Sequence, residues 1–241
     1  MFRFFEDETS LQEDKILLNK SNLKHIKVLR IAEDEEIEIV INGIVYLSKL
    51  IDFNGEKIAN IISKRIDENE SDIRINLYQG LPKSDKFEWI IQKSIELGVN
   101  EIVPFESERT IVKWDNKKEK KKLERYSEIA ESAAKQSKRT YIPKVSRLLS
   151  FNEMLEELKN SYTILAYENR GNSLRDILQK DKPKEINIII GPEGGFSEEE
   201  IEKFERIGAN IVNLGKRILR TETAAIALIS MIQYELGDIN I

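Results

Sequence analysis

The apolar positions of the first 66 residues follow the pattern of β-strands. Runs rich in β-branched residues alternate with Asn-Gly pairs, which favour hairpin turns because both residues tolerate positive φ angles. These runs and pairs are 37–41, 42–43, 45–53, 54–55 and 57–66. Phe2, Phe4 and Phe5 predict an N-terminal strand, and 22–30 predicts a short helix. The segment is therefore expected to form a small β-barrel domain.

A polar, acidic stretch at 67–72 marks a change in pattern, and the domain boundary is expected there, between residues 70 and 71. Beyond it, apolar runs typical of strands alternate with helical periodicity. The predicted strands are 74–80, 102–105, 163–167, 186–190 and 211–214. The predicted helices are 85–97 (capped by Ser84 or Asp85), 117–138, 151–158, 173–179, 197–207 and 223–236. Such alternation predicts an α/β domain over 71–241, with a mainly parallel sheet covered on both faces.

Composition narrows the chemistry. The 241 residues include no cysteine, which excludes disulfides, thiol nucleophiles and cysteine zinc sites. The single histidine, His25, is expected to have a structural or surface role, and no metal site is predicted. No apolar run approaches the roughly 18 residues of a membrane span, and acidic residues interrupt the start MFRFFEDETS. A cytoplasmic protein is expected.

The formal net charge of −5 argues against a generally basic nucleic-acid surface. Seven basic residues against three acidic ones are nevertheless concentrated in 113–125. This run could contact RNA phosphates or could be an ordinary solvated helix face, and the sequence leaves both open.

A glycine-rich loop follows the most apolar predicted strand. Gly191-Pro192-Glu193-Gly194-Gly195 leads into a helix that begins with a capping box formed by Ser197 and Glu200. Parallel sheets bind ligands beyond the carboxyl ends of their strands. The loop lacks both the GK[ST] and the GxGxxG patterns, and Glu193 would repel phosphate. It could be a plain strand-to-helix turn, but three glycines favour a ligand that contains adenosine and no phosphate.

A basic cluster precedes the last helix. Lys216, Arg217 and Arg220 follow a predicted strand end at Leu214-Gly215, and this cluster would suit an RNA backbone or a uracil anion. Thr221 or Thr223 is expected to cap the helix, with Glu222 in its first turn. Within it an apolar stripe could serve the core or a dimer face. The stripe consists of Ala225, Leu228, Ile229, Ile232 and Leu236.

Seven segments in order along the chain resemble the RsmE family, the bacterial 16S rRNA (uracil-N3)-methyltransferases of the SPOUT superfamily. They are MFRFF, HIKVLR, KSDKFEWIIQKSIELGV, PFESERTIVK, AESAAKQSKRTYIP, IIIGPEGGFSEEEI and LGKRILRTETAA. The resemblance implies a PUA-like barrel over 1–70 that grips RNA, and a SPOUT domain over 71–241 with a deep trefoil knot. It also implies a homodimer that uses S-adenosylmethionine to methylate N3 of a specific uridine in the 16S rRNA of the 30S subunit.

The resemblance further implies roles for individual residues. Arg220 would stabilise the uracil anion, and Glu222 would act as a base or orient Arg220. The expected cofactor contacts are Leu165, Ala166, Ile190, Gly191, Pro192, Glu193, Gly194, Leu214, Gly215, Ile218, Leu219, Arg220, Thr223 and Ala224. The expected RNA contacts are Arg3, Lys83, Lys86, Arg109, Arg139 and Arg217.

Two other functions compete with this one. A non-catalytic RNA-binding or ribosome-assembly protein that has kept the fold would show no cofactor affinity. An adenine-nucleotide oxidoreductase would bind NAD, although the missing GxGxxG pattern counts against it.

Overall fold

The computed structural model describes residues 1–53, 56–83, 85–112, 114 and 116–239. The predicted turn at 54–55, the candidate cap Ser84 and two residues of the basic run, Lys113 and Asp115, lie outside the described residues. The chain forms two compact units. The first comprises residues 1–70 with 134–142, and the second comprises 71–133 with 143–241.

A six-stranded mixed sheet dominates the first unit. Its elements are β1 (Phe2–Phe5), β2 (Leu11–Gln12), β3 (Lys15–Leu17), α1 (Lys20–Leu29), β4 (Glu36–Ile41), β5 (Ile44–Phe53) and β6 (Glu56–Ile66). The strand order is β1-β4-β5-β6-β3-β2. β1 runs parallel to β4 and the other neighbours are antiparallel. Among the described residues no pairing joins β1 to β2, so the strand order has two free ends.

Sequence patterns account for much of this unit. Asn42 and Gly43 adopt positive φ angles of 49° and 78° between β4 and β5, which confirms the predicted hairpin turn. Helix α1 begins two residues earlier than expected because the Asn19 side chain caps it by accepting a hydrogen bond from the Asn22 amide. His25 lies on α1 with its ring edge against Phe4 in the unit's core, in keeping with a structural role.

The second unit contains the remaining elements. Its strands are β7 (Arg74–Gly80), β8 (Glu101–Glu106), β9 (Lys144–Val145), β10 (Leu149–Ser150), β11 (Thr163–Ala166), β12 (Glu185–Ile190) and β13 (Asn210–Val212). Its helices are α2 (Lys86–Glu96), α3 (Asn116–Gln136, which ends in the first unit), α4 (Phe151–Leu158), α5 (Leu174–Asp181), α6 (Glu198–Arg206) and α7 (Thr221–Leu236). None of the described helices is long and apolar enough to cross a membrane.

Every strand pairing in this unit is parallel, which confirms the predicted parallel sheet. The order is β10-β8-β7-β12-β11-β13, with β9 also on β8. The apolar strand β12 lies between β7 and β11, and its consecutive residues 186–190 are all buried, so both of its faces are covered. Phe105, Phe196 and Phe204 pack in the core with Leu165 and Ile189.

Several predicted boundaries around α7 are wrong. β13 ends at Val212 rather than Leu214, and α7 begins at Thr221 rather than Thr223. Neither threonine caps α7, because the N-cap position is Arg220 and makes no side-chain cap hydrogen bond. Asp85 likewise occupies the N-cap of α2 without a side-chain cap bond. The capping box of Ser197 and Glu200 on α6 is confirmed.

The apolar stripe of α7 belongs mainly to the core of the second unit. Ala225, Leu228, Ile229 and Ile232 are fully buried, as expected for a helix that packs against β7, β12, α2 and α5. Two apolar side chains elsewhere on α7, Met231 and Tyr234, are 38% and 56% exposed.

Candidate active site

A cavity of the second unit opens at the carboxyl ends of β11 and β12. Its volume is about 370 Å³, within the range of roughly 300–1,000 Å³ that small-molecule sites occupy. The residues that line it are Lys86, Ala166, Glu168, Ile190, Gly191, Pro192, Glu193, Gly195, Phe196, Ile218, Leu219, Arg220, Thr221 and Ala224. A smaller cavity of about 60 Å³ adjoins it and shares Ala166, Glu168, Leu219 and Ala224. The site therefore combines an apolar wall with a few charged groups.

Close backbone packing shapes the floor of this cavity. A Cβ atom on Gly80, at the end of β7, would lie 2.5 Å from the backbone nitrogen of Pro192. A Cβ on Gly191 would lie 2.9 Å from the ring of Phe196. Gly80 is required because a side chain there would collide with the backbone of the 191–195 loop, and any side chain at Gly191 would displace the Phe196 ring.

One hydroxyl joins three elements beneath the loop. The buried Thr221 Oγ1, at the start of α7, donates a hydrogen bond to the Gly191 carbonyl at 2.6 Å. The same oxygen accepts a hydrogen bond from Nε2 of the fully buried Gln79 on β7 at 2.8 Å. The hydroxyl thus fixes the loop against both the central sheet and α7.

The glutamate of the glycine-rich loop is ion-paired. Glu193 Oε1 accepts hydrogen bonds from the Lys83 amide and from Lys86 Nζ, both at 3.1 Å. Partial burial alone would raise the pKa of Glu193. Hydrogen bonds from its own amide, from Lys86 and from the Lys83 amide outweigh burial and lower the pKa. The loop therefore carries an ionised carboxylate, which disfavours a bound phosphate.

Lys86 also faces Glu222. Its Nζ lies 3.7 Å from Glu222 Oε2, an oxygen that is buried and has no hydrogen-bond partner among the described residues. No hydrogen bond or ion pair between Glu222 and Arg220 is found in the described part of the chain, and Glu222 is not part of the cavity lining. Glu222 therefore contacts Lys86 in this structure, and its expected role as a base or as an orienter of Arg220 stays a prediction.

Most residues expected to contact a cofactor converge on the two cavities. Ala166, Ile190, Gly191, Pro192, Glu193, Ile218, Leu219, Arg220 and Ala224 line the larger cavity. Leu214 and Gly215 line the smaller one, together with Arg217, which was expected to contact RNA. Leu165, Gly194 and Thr223 line neither. Leu165 is buried in the core, the Gly194 carbonyl accepts a hydrogen bond from Arg109 Nη1 at 3.1 Å, and Thr223 is exposed on α7.

The sequence did not indicate four residues that line the larger cavity, Glu168, Gly195, Phe196 and Thr221, or two that line the smaller one, Tyr167 and Asn213. Gly195 and Phe196 continue the glycine-rich motif, so a longer reading of that motif would have included them. Glu168 comes two residues after the end of β11, where ligand-binding residues of parallel sheets are common. Lys86, expected to bind RNA, lies in the cavity wall instead.

Two of the expected RNA contacts are buried in the first unit. Arg3 donates to Glu38 at 3.1 Å, to Asp67 at 2.6 Å and to the carbonyls of Lys138 and Arg139, and its side chain is 1% exposed. Arg139 pairs with Glu70 at 2.8 Å, and its side chain is 4% exposed. A phosphate contact by either guanidinium would require breaking these pairs, so both are assigned to the fold of this unit.

Fold and site together define an α/β protein with a small-molecule cavity at the carboxyl edge of a parallel sheet. Among the described residues no group of three potential metal ligands is found. Residues 69–233 match the RNA methyltransferase domain family. The ribosomal RNA small subunit methyltransferase E of Mesomycoplasma hyopneumoniae (strain 232) is 39% identical over 95% of this chain and 98% of its own.

Solved structures agree with this match. The ribosomal RNA small subunit methyltransferase E of Neisseria gonorrhoeae, bound to S-adenosyl methionine, superposes with a TM-score of 0.90 at 34% identity, covering 99% of both chains. A Legionella pneumophila protein in complex with the bound cofactor SAM gives a TM-score of 0.89 at 30% identity, also over 99% of both chains. The chain therefore belongs to the ribosomal RNA small subunit methyltransferase E family.

Proposed function

We propose that this protein uses S-adenosylmethionine to methylate N3 of a specific uridine in the 16S rRNA of the 30S subunit. One observation carries the proposal. Segments distant in sequence, at 166–168, 190–196 and 214–224, converge on two adjoining cavities that share four lining residues, in a family with a member solved bound to S-adenosyl methionine.

The residues at the cavity fit such a ligand. Ala166, Ile190, Leu219 and Ala224 offer an apolar wall for an adenine ring, with main-chain groups of the loops available for its polar edge. The paired Glu193 adds a negative charge that a phosphate-free ligand tolerates. A dinucleotide would place its phosphates near that carboxylate, which disfavours the oxidoreductase alternative.

The bound cofactor would supply an electrophilic methyl group. Arg220 is exposed, lines the cavity, and makes no ion pair or side-chain hydrogen bond with another described residue. Its guanidinium is free to stabilise the negative charge on the uracil as N3 gives up its proton. Lys86 holds the Glu193 carboxylate beside the cavity, and Thr221 holds the Gly191 carbonyl, so the wall is fixed before the substrate arrives.

Further features of the molecule agree with a larger RNA-modifying assembly. We assign residues 1–70 as a PUA-like RNA-binding domain and 71–241 as a SPOUT domain with a trefoil knot. After the edge strand β13 the chain returns through 213–220 and places α7 against the central strands β7 and β12, as a knotted C-terminus would require.

Exposed Met231 and Tyr234 on α7 support a homodimer. Exposed Lys83, Arg109 and Arg217 remain the proposed RNA contacts.

The direct test is methylation of 30S subunits from a strain that lacks the modification, with labelled cofactor and mapping of the labelled base. We expect label at N3 of a single uridine. Arg220→Ala should lower the methylation rate by about 10²–10³-fold, as loss of one charge-stabilising donor does elsewhere, with cofactor affinity little changed.

The matched control is Arg206→Ala, because Arg206 lies on α6 and pairs with Glu202 away from the cavity. It should methylate at the wild-type rate. Full methylation by Arg220→Ala would refute the role of Arg220. If the wild-type protein neither incorporates label nor binds the cofactor, the proposed methyltransferase activity would be refuted. A non-catalytic RNA-binding protein would then be favoured.

A further inference from the structure

Glu168 differs from the other carboxylates at the site. It lines both the larger and the smaller cavity, at the carboxyl end of β11. Glu193 and Glu222 share the Lys86 ammonium, whereas no hydrogen bond or ion pair of the Glu168 side chain to another described residue is found. Glu168 is therefore a cavity carboxylate without an ion-pair partner among the described residues.

The position of Glu168 is nevertheless fixed. Asn213 Nδ2 donates to the Glu168 carbonyl at 2.8 Å, and Asn213 Oδ1 accepts from the Gly215 amide at 2.8 Å. These bonds tie the main chain at Glu168 to the loop after β13. A Cβ on Gly195 would lie 3.4 Å from Glu168 Oε1, which places the carboxylate beside the glycine-rich loop. The surroundings thus hold the main chain in place and leave the carboxylate available to a ligand.

Charge decides which ligand group suits this carboxylate. In a partly enclosed cavity an unpaired carboxylate favours a cation, and the interaction exceeds that in bulk water because the effective dielectric constant is lower. S-adenosylmethionine carries a positive sulfonium at its reacting centre. Its demethylated product carries a neutral thioether there, and the two share the ribose hydroxyls and the amino-acid end.

We propose that Glu168 is a specificity residue that faces the positive sulfonium and makes the cavity prefer the cofactor over its demethylated product. The proposal rests on the proposed function. When the methyl group passes to uracil N3, the C–S bond breaks, its electron pair stays on sulfur, and the N3 proton leaves to solvent. The positive charge opposite Glu168 is then lost, so product release becomes easier.

The test is calorimetric binding to wild type and Glu168→Gln, a nearly isosteric change. The probes are S-adenosylmethionine, sinefungin (which carries an ammonium near the sulfonium position) and S-adenosylhomocysteine. We expect Glu168→Gln to lower the affinity for S-adenosylmethionine and sinefungin about tenfold. It should lower the affinity for S-adenosylhomocysteine less than twofold. Glu168→Asp, which keeps the charge, should retain most of the preference.

The control is Glu199→Gln, which removes an exposed carboxylate from the first turn of α6 outside the cavity lining. It should leave all three affinities unchanged. Equal losses for all three probes in Glu168→Gln, or no loss, would overturn the role of Glu168. Failure of the wild-type protein to bind any probe would instead count against the proposed function itself, so the two failures are distinguishable.

Discussion

Thr221 connects the start of α7, the glycine-rich loop and the central strand β7 through a single oxygen. Its hydroxyl is both donor to Gly191 and acceptor from Gln79, and all three groups lie beside the cavity. The sequence suggests a cap for such a threonine, because Thr is common at helix starts. In the structure, Thr221 lies one position after the N-cap of α7. Its hydroxyl connects the helix to Gly191 and Gln79, which are 30 and 142 residues away in the sequence.

Thr221→Val should therefore destabilise the protein and weaken cofactor binding together. Valine matches threonine in shape, but it leaves the Gly191 carbonyl without its donor and leaves Gln79 Nε2 with only its hydrogen bond to the Gly80 carbonyl, at a cost of about 1–3 kcal/mol. Denaturant unfolding and calorimetry with S-adenosylhomocysteine would measure the two effects. Thr223→Val is the matched control, because Thr223 is exposed on the same helix. Identical behaviour of the two variants would contradict the bridging role.

Single residues of the site were predictable to different degrees. Gly191 and Leu219 belong to motifs, so sequence alone indicated them. Glu168 belongs to no motif. Its only indication in the sequence is its position at the end of the predicted strand that forms β11. Arg3 was wrongly expected to face RNA, because a sequence does not show whether a cation near the N-terminus will meet buried carboxylates.

At the level of elements, the site depends on how closely the end of β7 approaches the 191–195 loop. Gly80 leaves room for Pro192 to pack directly against the strand. Strand pairing of β7 with β12 runs from Arg74 to Gln79, so the loop emerges where the two strands end. The carboxyl edge of the sheet and the loop therefore form one packed surface.

Gly80→Ala should displace this loop. Its Cβ would meet backbone rather than a flexible side chain, so we expect a loss of about 1–3 kcal/mol in unfolding free energy and at least a tenfold loss of S-adenosylhomocysteine affinity. Gly208→Ala is the control. Its Cβ meets nothing within 4 Å, but its φ of 81° strains alanine by about 1 kcal/mol. It should lose stability without losing affinity. Unchanged affinity in Gly80→Ala would refute the coupling.

Helices with clear apolar spacing and buried strands were the easiest elements to predict. Helix α4 was predicted with its observed bounds because its apolar residues have helical spacing, and β12 within one residue because it is a continuous apolar run. The strands β2, β3, β9 and β10 contain only two or three residues each, too few to show alternation. These short strands form because a neighbouring strand supplies backbone hydrogen-bond partners.

In the molecule as a whole, the first unit is completed by a segment far along the chain. Lys138 Nζ lies 2.7 Å from Glu38 Oε2, and Arg65 and Arg3 lie 2.7 Å and 3.1 Å from the same carboxylate. Burial alone would raise the pKa of Glu38. Hydrogen bonds from Lys138, Arg65 and Arg3 outweigh burial and lower the pKa to about 2. Three cations from separate segments thus stabilise the ionised form.

Glu38→Gln should destabilise this unit by about 3 kcal/mol at pH 7, because the buried Arg3 and the partly exposed Lys138 and Arg65 lose a shared counter-charge. The folded pKa lies below the unfolded value of about 4.5, so the carboxylate stabilises the fold above that pH. Its contribution disappears as the pH falls from about 4.5 to about 2. Denaturant unfolding at pH 7 and pH 3 should show the difference between wild type and variant shrinking. Glu36→Gln, exposed on the same strand, should show neither effect.

The sequence alone determined the local patterns: hairpin signals before residue 67, alternating strands and helices after it, a capping box on α6, and two loops with ligand-binding character. Each depends on residues close together in the chain. The tertiary structure decided which distant segments meet. It placed Glu168 between the two loops, buried Arg3 and Arg139, and joined 134–142 to the first unit. These outcomes depend on packing and charge pairing across long separations, which no local pattern of residues records.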